Sequence, residues 1–128
     1  ISDNIVILNK LKEDLFLIEE ALESNNYSLV IGIARGNQNS VFETKGVNRF
    51  NDGCITRGGK ESYPLYYPEN GYKNLKISNT CTNSFCNWGI YRTAQLLEDR
   101  KIKHLFIHIL EPDIELLKEY LGNRDLSS

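Results

Sequence analysis

Apolar side chains recur every three or four positions along residues 6–24, with lysines and glutamates between them. This spacing predicts an amphipathic helix with one buried face. A second helix is predicted over residues 85–100, because a cap-rich segment of threonine, asparagine and serine precedes its apolar face. Pro112 and Gly122 bracket a third predicted helix with the sequence DIELLKEYL.

Two apolar runs, residues 29–33 and 105–110, are continuous rather than alternating. Such runs are typical of strands covered on both faces, as in a parallel sheet between helix layers. The segments VFETKGVNRF and LKIS predict two weaker strands. Residues 51–74 carry four glycines and four tyrosines, and we interpret them as a long loop that contains a hairpin. The order of helices and strands predicts an α/β fold.

Composition and charge narrow the class of protein. With 128 residues and 41% apolar composition, the chain is expected to form one domain over residues 1–128. Its net charge of −2 is spread over 15 basic and 17 acidic residues, which disfavours nucleic acid or an anionic membrane surface as a partner. No apolar run approaches the roughly 20 residues of a membrane span, and three cysteines cannot all pair within one chain. We therefore expect a soluble cytoplasmic protein.

Cys86 stands where the second predicted helix begins, a position at which the unpaired N–H groups and partial positive charge of the helix favour a thiolate. A nucleophilic cysteine also needs a general base. His108 is the candidate, because it lies near the carboxyl end of an apolar strand, where open sheets place catalytic groups. His104, which follows Lys101 and Lys103, is expected to be solvated. Glu43 is the candidate for the group that orients His108.

Each of these residues also has a purely structural interpretation. A cysteine in a capped loop is often a small buried side chain, a histidine in an apolar strand can be hydrogen-bonded in the core, and Glu43 taken alone is a surface charge. Metal binding by Cys81 and Cys86 lacks support, because no second Cys/His pair stands at structural-zinc spacing. The same two cysteines are compatible with redox sensing. The turn GIARGNQN lacks the glycine patterns of nucleotide-binding loops.

Three segments together resemble the pyroglutamyl peptidase (pyrrolidone carboxyl peptidase) family of cysteine peptidases. SNTCTNSFCNWGIY is similar to the family's nucleophile stretch and places Cys86 on the nucleophile, Asn87 on its neighbour and Tyr91 on a following aromatic residue. LFIHIL resembles a strand of the FIHVP type and places His108 on the catalytic base. LVIGIARGNQNSVFETKGVN resembles the segment that carries the third catalytic residue, which is Glu43 here.

The resemblance covers about residues 5–120 and implies a three-layer α/β/α sandwich around a mixed, largely parallel sheet. It implies an exopeptidase that removes N-terminal pyroglutamate from peptides by thiol acyl transfer, without a metal or other cofactor. Assembly into homo-oligomers is implied in the same way. Phe42 and Asn87 are expected to contact the substrate, and Arg35 is a candidate donor to the oxyanion.

Departures from the family concern the substrate pocket more than the catalytic residues. The sequence contains no Gly-Phe-x-Pro-Phe loop of the kind that contributes to the family's pocket, Cys81 and Thr82 stand in place of Ala-Gly, and Leu110 replaces a proline. The chain starts at Ile1 and has no methionine, so we expect it to be processed or part of a longer protein. Two other interpretations stay open. One is a catalytically impaired family remnant that acts as a binding module, and the other is a thiol hydrolase that acts on another small amide.

Overall fold

The computed structural model describes residues 11–80 and 85–123. The elements within them follow one another as α1 (Leu11–Ser24), β1 (Leu29–Arg35), β2 (Val41–Phe42), β3 (Lys45–Val47), β4 (Ser62–Pro64), β5 (Lys76–Ile77), α2 (Phe85–Leu97), β6 (Lys103–Ile109), a 3-10 turn (Glu111–Asp113) and α3 (Ile114–Asn123). Helix α1 confirms the described part of the first predicted helix, whose residues 6–10 lie outside the described residues. Among the helices in these ranges, none combines the length and apolar character needed to cross a bilayer.

The main sheet has the strand order β1-β6-β2-β5. Strand β1 is parallel to β6 along its seven residues, and β2 is parallel to β5, whereas β2 runs antiparallel to β6. The two continuous apolar runs of the sequence therefore become neighbouring parallel strands. This arrangement confirms the predicted α/β fold with a mixed, largely parallel sheet.

Alternation along β6 distributes its side chains between two helix layers. The residues of β6 that face α3 join a buried cluster with it, and the main members are Leu105, Ile107, Ile109, Leu117 and Tyr120. Burial of each large apolar side chain in such a cluster contributes about 1.5–3 kcal/mol. The alternate residues of β6, which include His108, face α2, and α1 packs against α2. The sheet thus lies between α3 on one side and α1 with α2 on the other.

Two predicted boundaries are corrected by the structure. The segment VFETKGVNRF is not one strand, because β2 belongs to the main sheet while β3 pairs antiparallel with β4 in a separate two-stranded sheet. Strand β4 lies inside the long loop of residues 51–74, but its partner β3 precedes that loop. Helix α3 does not stop before Gly122 and continues to Asn123. A glycine near an exposed helix end costs at most about 1 kcal/mol, so it does not end the helix by itself.

Candidate active site

The structure brings Cys86, His108 and Glu43 together on the α2 side of the main sheet. Cys86 is the second residue of α2, His108 lies near the carboxyl end of β6, and Glu43 directly follows β2. The Nδ1 atom of His108 is 2.9 Å from Oε2 of Glu43, and His108 is also hydrogen-bonded with Cys86. Because Nδ1 faces Glu43, Nε2 is the ring nitrogen left for the sulfur. The imidazole therefore links a thiol to a carboxylate.

Strand register explains why Glu43 reaches His108 across 65 positions of sequence. In the antiparallel pair of β2 and β6, Val41 lies opposite His108 and Phe42 opposite Ile107. The next backbone bond, from Glu43 N to the carbonyl of β6, is 2.9 Å long and continues this pairing. Residues directly opposite each other share a face and successive residues alternate. Glu43 therefore points to the same face as His108.

The surroundings of His108 favour its charged form. Its side chain is 25% exposed and that of Glu43 is 13% exposed, so solvent screens their contact only in part. The hydrogen bond with Cys86, followed by the hydrogen bond with Glu43, raises the pKa of His108 to about 9 against the opposing effect of burial. At neutral pH the ring therefore carries a proton on both nitrogens, which is the form that can donate a proton to a leaving group.

The sulfur of Cys86 lies in the first turn of α2, where backbone N–H groups have no partner within the helix. Helix α2 is described from Phe85 to Leu97 and ends three residues before its predicted end. The predicted cap residues 82–84 and Cys81 lie outside the described residues, so a Cys81–Cys86 redox pair stays a prediction. Across residues 11–80 and 85–123, no three His, Cys, Asp or Glu side chains are grouped so that they could hold a metal ion.

The side chain of Asn87 is occupied by the backbone of β3 and of Arg49, two residues after that strand. Its side chain is buried, with 3% of the residue exposed. Oδ1 accepts a hydrogen bond from Val47 N at 2.9 Å, and Nδ2 donates to the carbonyls of Val47 and Arg49, each at 2.9 Å. Substrate contact by Asn87 stays a prediction. A polar residue on the buried face of an otherwise apolar helix was the sequence signal for this structural role.

The other two residues predicted to bind substrate also lie away from the catalytic candidates. Phe42 has no exposed surface and packs edge-on against Tyr120 of α3, with 5.3 Å between ring centroids. Alternation sends Phe42 to the opposite face of the sheet from Glu43, and its substrate contact stays a prediction. Arg35 ends β1 in register with Ile109, which belongs to the cluster on the α3 side. Its side chain is exposed and leaves the sheet on that far side, so an oxyanion role for Arg35 stays a prediction.

His104 was expected to be solvated, and this expectation is wrong. The residue is only 8% exposed, because β6 already begins at Lys103 and pairs His104 with Val30 of β1. Desolvation lowers the pKa of His104 to about 4, so it is neutral at physiological pH. Its Nδ1 atom finds no hydrogen-bond partner among the described residues. The four-residue spacing from His108 was the signal that the two histidines share a face of one strand.

Tyr91, which belongs to the nucleophile motif, and Asn48, the last residue of the segment LVIGIARGNQNSVFETKGVN, anchor the loop that follows β3. Asn48 Oδ1 accepts hydrogen bonds from the backbone N–H groups of Ile55 and Thr56 at 2.7 and 2.8 Å, and its Nδ2 donates to the Thr56 carbonyl at 2.8 Å. The Tyr91 hydroxyl donates to the carbonyl of Lys60 at 2.6 Å. The Asn48 bonds fix the loop over residues 48–56, and the Tyr91 bond ties its end at Lys60 to α2.

Solved structures that are similar to this chain include several pyrrolidone carboxyl peptidases. One, from Thermococcus litoralis, is 19% identical with a TM-score of 0.60, over 84% of this chain and 64% of that chain. Another, from the thermophilic keratin-degrading bacterium Fervidobacterium islandicum AW-1, is 16% identical with a TM-score of 0.61, over 78% and 60%. A variant of the enzyme from Pyrococcus furiosus is 18% identical with a TM-score of 0.62, over 88% and 65%.

The chain spans less than two thirds of the length of each of these three structures. No family model matches the sequence, and no curated protein matches it either. The structural likeness, at an identity below 20%, concerns the arrangement of helices and strands. The described residues of this chain share the fold of pyrrolidone carboxyl peptidases.

Proposed function

We propose that this chain is a cysteine exopeptidase that removes N-terminal pyroglutamate from peptides. The observation that carries the proposal is the hydrogen-bonded arrangement of Cys86, His108 and Glu43, with 2.9 Å between His108 Nδ1 and Glu43 Oε2. A nucleophile, a base and a group that orients the base are the parts that acyl transfer by a thiol requires. The shared fold with pyrrolidone carboxyl peptidases supports the substrate class. A reducing, cytoplasmic setting suits a peptidase that depends on a free thiol.

In the proposed reaction, the proton that His108 holds at neutral pH is the one withdrawn from the Cys86 thiol, and the sulfur attacks the carbonyl that joins pyroglutamate to the next residue. The resulting tetrahedral intermediate collapses when His108 donates that proton to the amine, which leaves as the shortened peptide. A thioester between pyroglutamate and Cys86 remains. His108 then takes a proton from water, the hydroxide attacks the thioester, and the free acid and the thiol are regenerated.

Glu43 and the start of α2 supply the electrostatic support for these steps. Glu43 holds His108 by Nδ1 and stabilises the charged ring, so the other nitrogen stays directed at the sulfur. The unpaired N–H groups in the first turn of α2 lie beside Cys86 and are the proposed donors to the oxyanion. Loss of one such donor costs about 2.7–4 kcal/mol in related chemistry.

A second candidate is a thiol hydrolase that acts on another small amide. Phe42, which was expected to help replace the family's aromatic pocket, is fully buried on the far side of the sheet. Cys86, His108 and Glu43 therefore lie together, while Phe42 forms no wall of a pocket beside them. This candidate predicts a reactive Cys86 without preference for pyroglutamate.

The test compares release of a fluorophore from a pyroglutamyl amide with release from the matching prolyl and alanyl amides, under reducing conditions. We expect selective cleavage of the pyroglutamyl amide, abolished in Cys86→Ser and His108→Ala. Cys54→Ser is the matched control, because Cys54 is an exposed free cysteine away from the hydrogen-bonded arrangement, and it should keep full activity. Cleavage of all three amides at similar rates would favour the second candidate. Absence of cleavage in the unmodified chain would contradict the proposal.

A further inference from the structure

We propose that Asn87 is the positioning residue of the site: it ties the nucleophile helix to the chain segment that carries Glu43. The inference rests on the proposed function, because it explains how the sulfur of Cys86 is held at the imidazole of His108. Asn87 follows Cys86 directly, so the bonds that hold its side chain also restrain the first turn of α2 beside Cys86.

The side-chain amide of Asn87 bonds with both backbone groups of Val47, as the backbone of a neighbouring strand would. Val47 pairs with Ser62 of β4, and both its backbone N–H and its carbonyl also bond with Asn87, each at 2.9 Å. A further bond to the Arg49 carbonyl, also 2.9 Å long, uses the second hydrogen of Nδ2. Only a side-chain amide offers one acceptor and two donors at this reach, since an aspartate lacks the donors and a glutamine is one methylene longer.

Helix α2 packs so closely against β3 that neither element can move toward the other without a clash. A Cβ atom added at Gly46 would lie 2.7 Å from Cγ2 of Ile90 and 3.0 Å from the backbone nitrogen of Tyr91. Strand β3 begins at Lys45, two residues after Glu43. The three hydrogen bonds of Asn87 therefore connect the helix that carries the nucleophile with the segment that carries the orienting carboxylate.

Tyr91 offers a control that distinguishes the positioning of Cys86 from a general contribution to stability. Tyr91 lies one turn further along the same face of α2 and also bonds with a backbone carbonyl, that of Lys60, at 2.6 Å. Its partner belongs to the loop after β3 and not to the segment beside Glu43. Loss of the Tyr91 hydroxyl should reduce stability without moving Cys86, which makes Tyr91→Phe the matched control.

The experiment uses Asn87→Ala, Asn87→Gln and Tyr91→Phe in the full chain, at temperatures where circular dichroism shows each variant folded. One readout is kcat and KM for the pyroglutamyl amide. The other is the pH dependence of alkylation of Cys86 by iodoacetamide, followed by peptide mass mapping with Cys54 as the internal reference.

For Asn87→Ala we expect kcat to fall by about tenfold or more with little change in KM, because misplacement by a fraction of an ångström disrupts the attack geometry. Alkylation of Cys86 should become slower relative to that of Cys54, because the sulfur is no longer held at His108. Asn87→Gln keeps the side-chain amide but moves it by one methylene, so it should recover stability without recovering kcat. It serves as the test if Asn87→Ala does not fold. Tyr91→Phe should keep both the kcat and the alkylation profile.

A folded Asn87→Ala, or a folded Asn87→Gln, with unchanged kcat and an unchanged alkylation profile would overturn the positioning role. An equal loss of kcat in Tyr91→Phe would do the same, since it would indicate a general effect of stability. If the unmodified chain cleaves no pyroglutamyl amide, the proposed function fails, whereas the alkylation profiles still decide whether Asn87 positions Cys86 at His108.

Discussion

Acidification from about pH 6.5 to pH 4 should destabilise this protein, because the buried His104 stays neutral in the folded chain. The other histidine, His108, titrates above this range. The residue is 8% exposed, and desolvation lowers its pKa to about 4 from an ordinary 6.5. Between these two values the unfolded chain binds a proton that the folded chain excludes, so the free energy of unfolding falls as pH falls from 6.5 to 4. The difference of 6.5 − 4 = 2.5 pH units corresponds to about 3 kcal/mol, at 1.36 kcal/mol per unit.

His108 titrates with the opposite sign and in a different range. Its bonds with Cys86 and Glu43 raise its pKa to about 9. The stability that this protonated ring contributes is fully present below pH 6.5 and is lost as pH rises through about 9. The two histidines, on one face of the same strand, therefore place the maximum of stability near neutral pH.

The assay is urea unfolding of the unmodified chain and of His104→Leu, at neutral pH and at about pH 4.5. Leucine fills a similar volume without a titrating group, so the unmodified chain should lose about 2.5 kcal/mol more than the variant over this interval. Carboxylates titrate in both proteins, and their effect cancels in the comparison. Equal losses of stability in the two proteins would refute the reasoning, because they would show that burial of His104 does not exclude its proton.

Two further predictions concern the packing around the site. Gly46→Ala places a Cβ atom 2.7 Å from Ile90 Cγ2, so it should reduce stability by about 1–3 kcal/mol and slow alkylation of Cys86. Gly53→Ala is the control and should have neither effect, because nothing lies within 4 Å of its Cβ atom. Thermal unfolding measures the change in stability, and equal behaviour of the two variants would contradict the prediction. Ser40→Ala should cost about 1–3 kcal/mol in urea unfolding, because the buried Ser40 Oγ accepts from Leu110 N at 2.9 Å and its loss leaves that N–H unpaired. An unchanged midpoint would show that water replaces the hydroxyl.

Elements with a long, unambiguous pattern were predictable from the sequence. The three- and four-residue spacing in residues 11–24 places the apolar side chains on one face of a helix. The continuous apolar runs that became β1 and β6 are short and bounded by polar residues, as buried strands are. The short strands were not predictable in this way. In VFETKGVNRF the change from β2 to β3 occurs within a few residues, and only pairing with β6 on one side and β4 on the other separates the two.

For the candidate site as well, the reactive residues were predictable from the sequence, whereas their contacts were not. Cys86, His108 and Glu43 were identified from residue chemistry and from resemblance to a family, since a thiol, an imidazole and a carboxylate carry their chemistry wherever they lie. Which side of the sheet each residue faces depends on register, and a shift of one position reverses it.

Register accordingly decided what the sequence left open. It placed Glu43 beside His108 while it buried Phe42 on the other side, and it buried His104 despite its lysine neighbours. The role of Asn87 likewise depends on a strand 40 positions away. The sequence by itself determined the reactive groups and the long elements, whose patterns are local. Tertiary structure alone decided which of those groups meet, because pairing between distant segments sets the direction of every side chain.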